Sequence, residues 1–377
     1  MKKFALIIII ILGIASGCSA STSGSEIDLR SMTLREKVGQ LFLIRPDQLN
    51  VNLSNDLIHK SKAVGETSVT EIMLDTLRNY PAGGFALFAK NIENPTQLKI
   101  FTRELINACT IQPILAIDEE GGIISRIANH KKFRVKKFPS VKSIGETGNS
   151  RMAYDAGAVI GKYLRDYGFN LDFAPIVDVN TNPDNIVIGN RAFGDDPELV
   201  SRMAGAFLDG LHSQKIAGSI KHFPGHGDTT NDPHKGYVAI SKTWDELLNC
   251  ELIPFMRNFA KTDSVMVAHI TLKNITHDDL PATLSQELIT GKLRNELAYD
   301  GLIITDAMMM GAVKENYSSS EAAVLAFEAG NDILLMPWDF REAFDGIIHA
   351  IETGRISEQR LDESVRRILD FKSKFVF

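Results

Sequence analysis

Cysteine is scarce in this chain, with three residues in 377. Cys18 belongs to the N-terminal segment, while Cys109 and Cys250 fall in separate helical stretches. That excludes a disulfide framework and a thiolate metal cluster, and leaves the latter two as buried small hydrophobes. Long apolar runs are missing too. Residues 4–14 are apolar, but they are fewer than the roughly 20 a membrane-spanning helix needs. Positive charge is not in excess. A formal net charge of −6 offers no field for gripping a nucleic-acid backbone, so no nucleic-acid partner is expected. The one basic run, His130 to Lys137, is short and reads as a solvated loop. No glycine-rich dinucleotide fingerprint follows the first strand candidate, and no Ser/Pro/Gly linker divides residues 28–377.

What is present begins with a leader. Lys2 and Lys3 precede the apolar run, and Ala15-Ser16-Gly17-Cys18 closes it. A charged start, a short apolar segment and small residues before a cleavage point describe a secretory signal. Cysteine directly after Ala-Ser-Gly resembles a bacterial lipobox, which makes Cys18 the acylated first residue of a mature lipoprotein. The expected division is residues 1–17 as signal, 18–27 as flexible tether and 28–377 as one folded domain. A bacterial lipoprotein held at the membrane, periplasmic or at the cell surface, follows from it. The alternative is a plain cleaved signal with an incidental cysteine.

Beyond the tether, Thr33-Leu34-Arg35-Glu36 reads as a capping box that opens a helix. Short apolar runs then alternate with amphipathic stretches. The strand candidates are residues 41–44, 84–88, 114–117, 171–177, 219–220, 265–268, 302–304 and 333–336. They are nearly continuous apolar segments, as strands covered on both faces should be. Helices are expected over 97–108, 151–165, 197–211, 244–259, 286–297, 321–329 and 357–371. Eight such units predict an α/β fold, a (β/α)8 barrel in one domain, with an open doubly wound sheet as the runner-up. Polar residues recur where the strands end: Asp118, Asp178, Lys221-His222, His269 and Asp306. That recurrence is what a barrel active site looks like in sequence.

The densest chemistry is in Lys221-His222-Phe223-Pro224-Gly225-His226-Gly227-Asp228-Thr229 and the following Asp232-Pro233-His234. Proline and glycine forbid a helix there, and a loop so rich in titratable groups cannot fill an apolar core. Asp306, after an apolar strand, suits a nucleophile or electrostatic stabiliser, or else the N-cap of the next helix. Asp232 and His234 suit an imidazole oriented by a carboxylate, able to give and take a proton, or are two solvated loop residues. His222, His226, Asp228 and His234 leave a metallohydrolase as a minority reading, although Pro224 and Gly225 break the helix that would align the first two. Asp118, Arg126 and Arg191 suit the holding of adjacent sugar hydroxyls, or a buried ion pair between Asp118 and Arg191 that steadies two loops.

Taken together and in this order, the segments resemble the glycoside hydrolase family 3 β-N-acetylglucosaminidases over nearly the whole of residues 28–377. The resemblance implies a retaining double displacement. Asp306 would attack the anomeric carbon, and His234, partnered by Asp232, would protonate the departing oxygen and then activate water. Asp118, Arg126, Arg191, Lys221 and His222 align with the residues that hold the terminal sugar. The chain departs from the pattern at Pro233, where Ser is usual, and at Glu119, where Gln is common. The implied protein is a metal-free, cofactor-free monomer. It would remove terminal β-linked N-acetylglucosamine from peptidoglycan fragments, chitooligosaccharides or other glycans. A phosphorylase, a family 3 β-glycosidase of other specificity and a non-catalytic sugar-binding lipoprotein are the alternatives.

Overall fold

A computed structural model describes residues 29–229 and 238–376. Eight parallel strands carry the fold: β1 (Phe42–Ile44), β2 (Gly84–Leu87), β3 (Ile114–Ile117), β4 (Leu171–Asp172), β5 (Ala217–Phe223), β6 (Ser264–Val267), β7 (Leu302–Thr305) and β8 (Leu334–Leu335). They pair in chain order from β1 to β7, and β8 pairs with β1. A parallel bridge between Ile304 and Ile333, with the Thr305 N–H 3.0 Å from the Ile333 carbonyl, joins β7 to β8 and closes the ring. The result is the (β/α)8 barrel. Every residue of β1, β2, β3, β6 and β7 is buried, which is why these strands read as unbroken apolar runs.

Helices wrap the barrel and follow their caps. Thr33 and Glu36 form the expected capping box ahead of Leu34–Gln40. Asn94, Asn149, Asp196, Asp339 and Ser357 cap Pro95–Ala108, Ser150–Asp166, Pro197–Ser213, Phe340–Glu352 and Glu358–Phe375, each accepting an orphan amide of the first turn. Their apolar faces and the outward side chains of the strands make one core. Phe42 of β1, for example, meets Phe340 edge-on at 5.4 Å.

Five local expectations change. The strand expected over 171–177 pairs regularly only at Leu171–Asp172, since Pro175 has no N–H for the ladder, and resumes in a single bridge from Ile176 to Lys221. β5 is longer than 219–220 and includes Lys221 and His222. The helix over 244–259 divides into Trp244–Leu248 and Ile253–Asn258, where Pro254 sits in a new first turn. Residues 286–297 wind as a π-helix over Glu287–Glu296. Cys109 and Cys250 lie just beyond helix ends, half-buried and free, rather than inside helices. No helix among the described residues is long and apolar enough to cross a membrane.

Candidate active site

After β3 the chain turns back on itself, pairing Glu119–Gly121 with Ile124–Ser125. Gly121 (φ 92°) and Gly122 (φ 65°) take the left-handed conformations this turn requires. Alternation along the extended chain then sends Asp118 and Glu120 one way and Glu119 the other. Glu119 accepts the N–H groups of Ile127 and Ala128 and the Tyr163 hydroxyl, bracing the turn. Asp118 and Glu120 meet Lys221 of β5, whose Nζ lies 2.9 Å from Asp118 Oδ1 and 2.6 Å from Glu120 Oε1. Arg126 reaches Asp118 at 3.1 Å, and Arg191 grips Glu120 with two bonds of 2.9 and 2.8 Å.

Burial alone would raise these carboxyls, but the cations outweigh it. Lys221 and Arg126 hold Asp118 well below the usual carboxylate range, and Arg191 and Lys221 hold Glu120 below it. Burial would likewise lower the Lys221 amine, yet Asp118 and Glu120 raise it. Asp118, Glu120, Lys221 and Arg191 are therefore charged at neutral pH, and the fork of donors and acceptors is fixed before anything binds.

A second cluster sits beside it. The Asp178 carboxylate accepts the backbone N–H groups of His222 (3.2 Å) and His226 (2.7 Å), and its other oxygen lies 2.7 Å from His222 Nδ1. That partner assigns the Nδ1 proton to His222 and leaves its Nε2 as the working atom. The Thr229 hydroxyl donates to the His226 carbonyl at 3.0 Å and lies 2.6 Å from His226 Nδ1. Burial and the neighbouring His222, whose ring centre is 5.8 Å away, push the His226 imidazole down. His226 is neutral, and its Nε2 has no hydrogen-bond partner among the described residues. The glycines of this segment are steric requirements. A Cβ at Gly227 would lie 1.7 Å from the Val179 carbonyl oxygen, and Gly225 takes φ 127°.

Asp306 follows β7, with its N–H on the Val267 carbonyl at 2.8 Å. Its Oδ1 accepts the next N–H, that of Ala307, at 2.7 Å. The N-cap reading of this residue fails, because the next helix is Gly311–Lys314 and Met310 occupies its cap position. Half-buried at the end of its strand, Asp306 has its carboxylate near enough to His226 to act on that imidazole's proton affinity. Asp232, Pro233 and His234 lie outside the described residues, as does Cys18.

Residues 33–371 match the family described as "Glycosyl hydrolase family 3 N terminal domain". The chain belongs to glycosyl hydrolase family 3. It is similar to "Beta-hexosaminidase A" of Pseudoalteromonas piscicida, 31% identical over 337 residues that cover 82% of this chain and 56% of that one. It is also similar to "Beta-hexosaminidase" of Pseudomonas aeruginosa (strain LESB58), 32% identical over 277 residues, covering 72% of this chain and 80% of that one. Among solved structures it superposes on a glycoside hydrolase family 3 β-N-acetylglucosaminidase from Paenibacillus sp. str. FPU-7 with a TM-score of 0.83 and 34% identity, covering 91% of this chain and 63% of that one. The chain thus spans little more than half the length of the first of these relatives.

Within this family 3 barrel, Asp118, Arg126, Arg191, Lys221 and His222 converge at the C-terminal ends of β3 to β5, and Asp306 ends β7 on the same face. Arg191, however, is paired with Glu120 and not with Asp118 as the ion-pair reading had it. Glu120 links Lys221 to Arg191; the sequence marks it only as part of the polar knot 118–122 and gives it no role, although it stands two residues from Asp118, the spacing that puts both on one side of an extended chain. Arg45 was overlooked. It follows β1, stacks 4.1 Å over the Phe88 ring that Arg126 also covers at 5.3 Å, and its signal was the one Asp118 and Asp306 carry, a charged group directly after an apolar strand. Among the described residues no three His, Cys, Asp or Glu side chains form a metal-binding group. A cavity of about 270 Å³, lined by Gln40, Leu77, Ala82 and Cys109, holds none of these site residues.

Proposed function

We propose that the protein is a retaining exo-β-N-acetylglucosaminidase, releasing non-reducing terminal β-linked N-acetylglucosamine from wall-derived or chitin-like oligosaccharides. The carrying observation is the Lys221–Asp118–Glu120 network, a rigid set of charged donors and acceptors suited to sugar hydroxyls, in a barrel whose relatives are named β-hexosaminidases. In the first step the Asp306 carboxylate oxygen bonds to the anomeric carbon as the bond to the aglycone oxygen breaks. That oxygen takes its proton from His234. In the second step His234 removes a proton from water, whose oxygen displaces Asp306 from the anomeric carbon and restores the configuration. Asp232 orients the imidazole, and His222 Nε2 with Arg126, Arg191 and Lys221 holds the sugar. Acylation of Cys18 would keep the enzyme at a membrane, and loss of lipid labelling in Cys18→Ala tests that part.

The experiment for the activity is a panel of aryl β-glucosides, β-xylosides and β-N-acetylglucosaminides. Preference for the N-acetylated sugar by at least tenfold in kcat/KM is expected, about 1.4 kcal/mol of transition-state discrimination. Equal or better turnover of the glucoside would overturn the assignment.

A further inference from the structure

Arg126 apart, one segment is left unused by the chemistry above. Residues 121–145 contain seven lysines and arginines and no aspartate or glutamate, in a chain whose formal net charge is −6. Those seven cations leave −13 on the rest of the chain. So complete a segregation of charge is not what a solvated loop of an acidic protein needs.

The structure gives the segment a rigid base and a charged outer side. Ile127 and Ala128 are buried, with their N–H groups on the Glu119 carboxylate at 2.9 Å each. Phe133 is buried edge-on against Tyr167, ring centres 5.3 Å apart. The Gly122 N–H meets the Phe138 carbonyl at 3.1 Å and closes the excursion at its neck. Lys131, Lys132, Arg134, Lys136 and Lys137 are all exposed on it. None of the five has a carboxylate within 4.0 Å among the described residues, and only Lys136 lies over an aromatic ring, that of Phe138. Lys99, from the helix Pro95–Ala108, lies 5.5 Å over the same Tyr167 ring and brings a cation from a second element. Asp166, next to that tyrosine in sequence, is paired with Lys162.

We propose that this strip is a docking surface for a flexible, linear phosphodiester polyanion. Unpaired cations held on a fixed backbone lose little freedom on meeting phosphates, and they release the polymer's condensed counterions. The shape of the partner follows from the remaining −13. A broad anionic membrane brings the acidic surface into its field along with the strip, whereas a single flexible chain touches the strip alone. Arg126 opens the segment and contacts Asp118, so a polymer lying on the strip is joined through one loop to the mouth of the barrel. The proposal is independent of which sugar that mouth accepts.

The test is binding of the full chain to poly(glycerol phosphate), compared with a Lys131→Gln, Lys132→Gln, Lys136→Gln, Lys137→Gln variant and with a second variant in which the same four are arginine. Affinity for the polymer should fall on the order of a hundredfold between about 50 and 200 mM salt, as expected for roughly five neutralised phosphates. The glutamine variant should lose at least tenfold at low salt and most of the salt slope. The arginine variant should retain both, and turnover of an aryl glycoside should be unchanged in each. Equal polymer affinity in the glutamine variant, or binding indifferent to salt, overturns the proposal. It is equally overturned if neither protein binds the polymer while phosphatidylglycerol vesicles alone distinguish them, which would assign the strip to a membrane.

Discussion

Lys221 of β5 and Glu120, three residues past the end of β3, meet 2.6 Å apart, both almost wholly buried. Around that contact Asp118, Arg126 and Arg191 complete a charged fork. Its members compensate one another, so removing one strands the rest.

Glu120→Gln is therefore expected to cost about 3–5 kcal/mol, the penalty for leaving buried Lys221 and Arg191 short of a partner. The sign with pH follows from the lowered carboxyls of Asp118 and Glu120. Carboxyls depressed in the folded state stabilise it above their unfolded values near 4, and that contribution is lost as pH falls below them. The gap between wild type and variant should be full at pH 7 and shrink in acid, read from denaturant unfolding. A constant gap down to pH 2 would deny the ionic origin.

Asp306→Ala should reduce turnover of an aryl β-N-acetylglucosaminide on the order of a thousandfold or more while unfolding at the wild-type midpoint. Near-normal turnover would move the nucleophile elsewhere.

Replacing His234 by glycine should slow a substrate with a poor leaving group by roughly a hundredfold or more, and an activated one far less, since only the former needs a full proton. Equal losses on both would remove His234 from the acid role.

Product analysis separates hydrolysis from phosphorolysis. With inorganic phosphate present, free N-acetylglucosamine should remain the product. Sugar 1-phosphate as the main product would make the protein a phosphorylase.

Lys372 offers a test remote from the chemistry. It is buried, donates to Gln40 Oε1 at 2.6 Å, and burial pushes its amine down to about 7. The unfolded lysine titrates near 10.4, so between about pH 7 and 10 unfolding takes up a proton and stability rises with pH, by up to a few kcal/mol. Lys372→Met should flatten that rise in chemical denaturation at a series of pH values. A wild-type curve already flat over this window would show the amine to be ionised in the fold.

The sequence alone determined the barrel and several of the residues that ring its mouth. Parallel strands covered on both faces must be apolar throughout, and helices must begin at side chains able to cap them, so β1, β3, β7 and the Thr33 box were all legible. Asp118, Lys221 and Asp306 stood out because a charged group ending an apolar strand is conspicuous in one dimension. Partnership was not legible. That Arg191 takes Glu120 rather than Asp118, that Asp178 accepts from both His222 and His226, and that Arg45 shares the Phe88 ring with Arg126 are decided only when loops from different strands are packed together. Charge pairing depends on distances of a few ångströms between residues dozens of positions apart, and closing the barrel is what sets those distances.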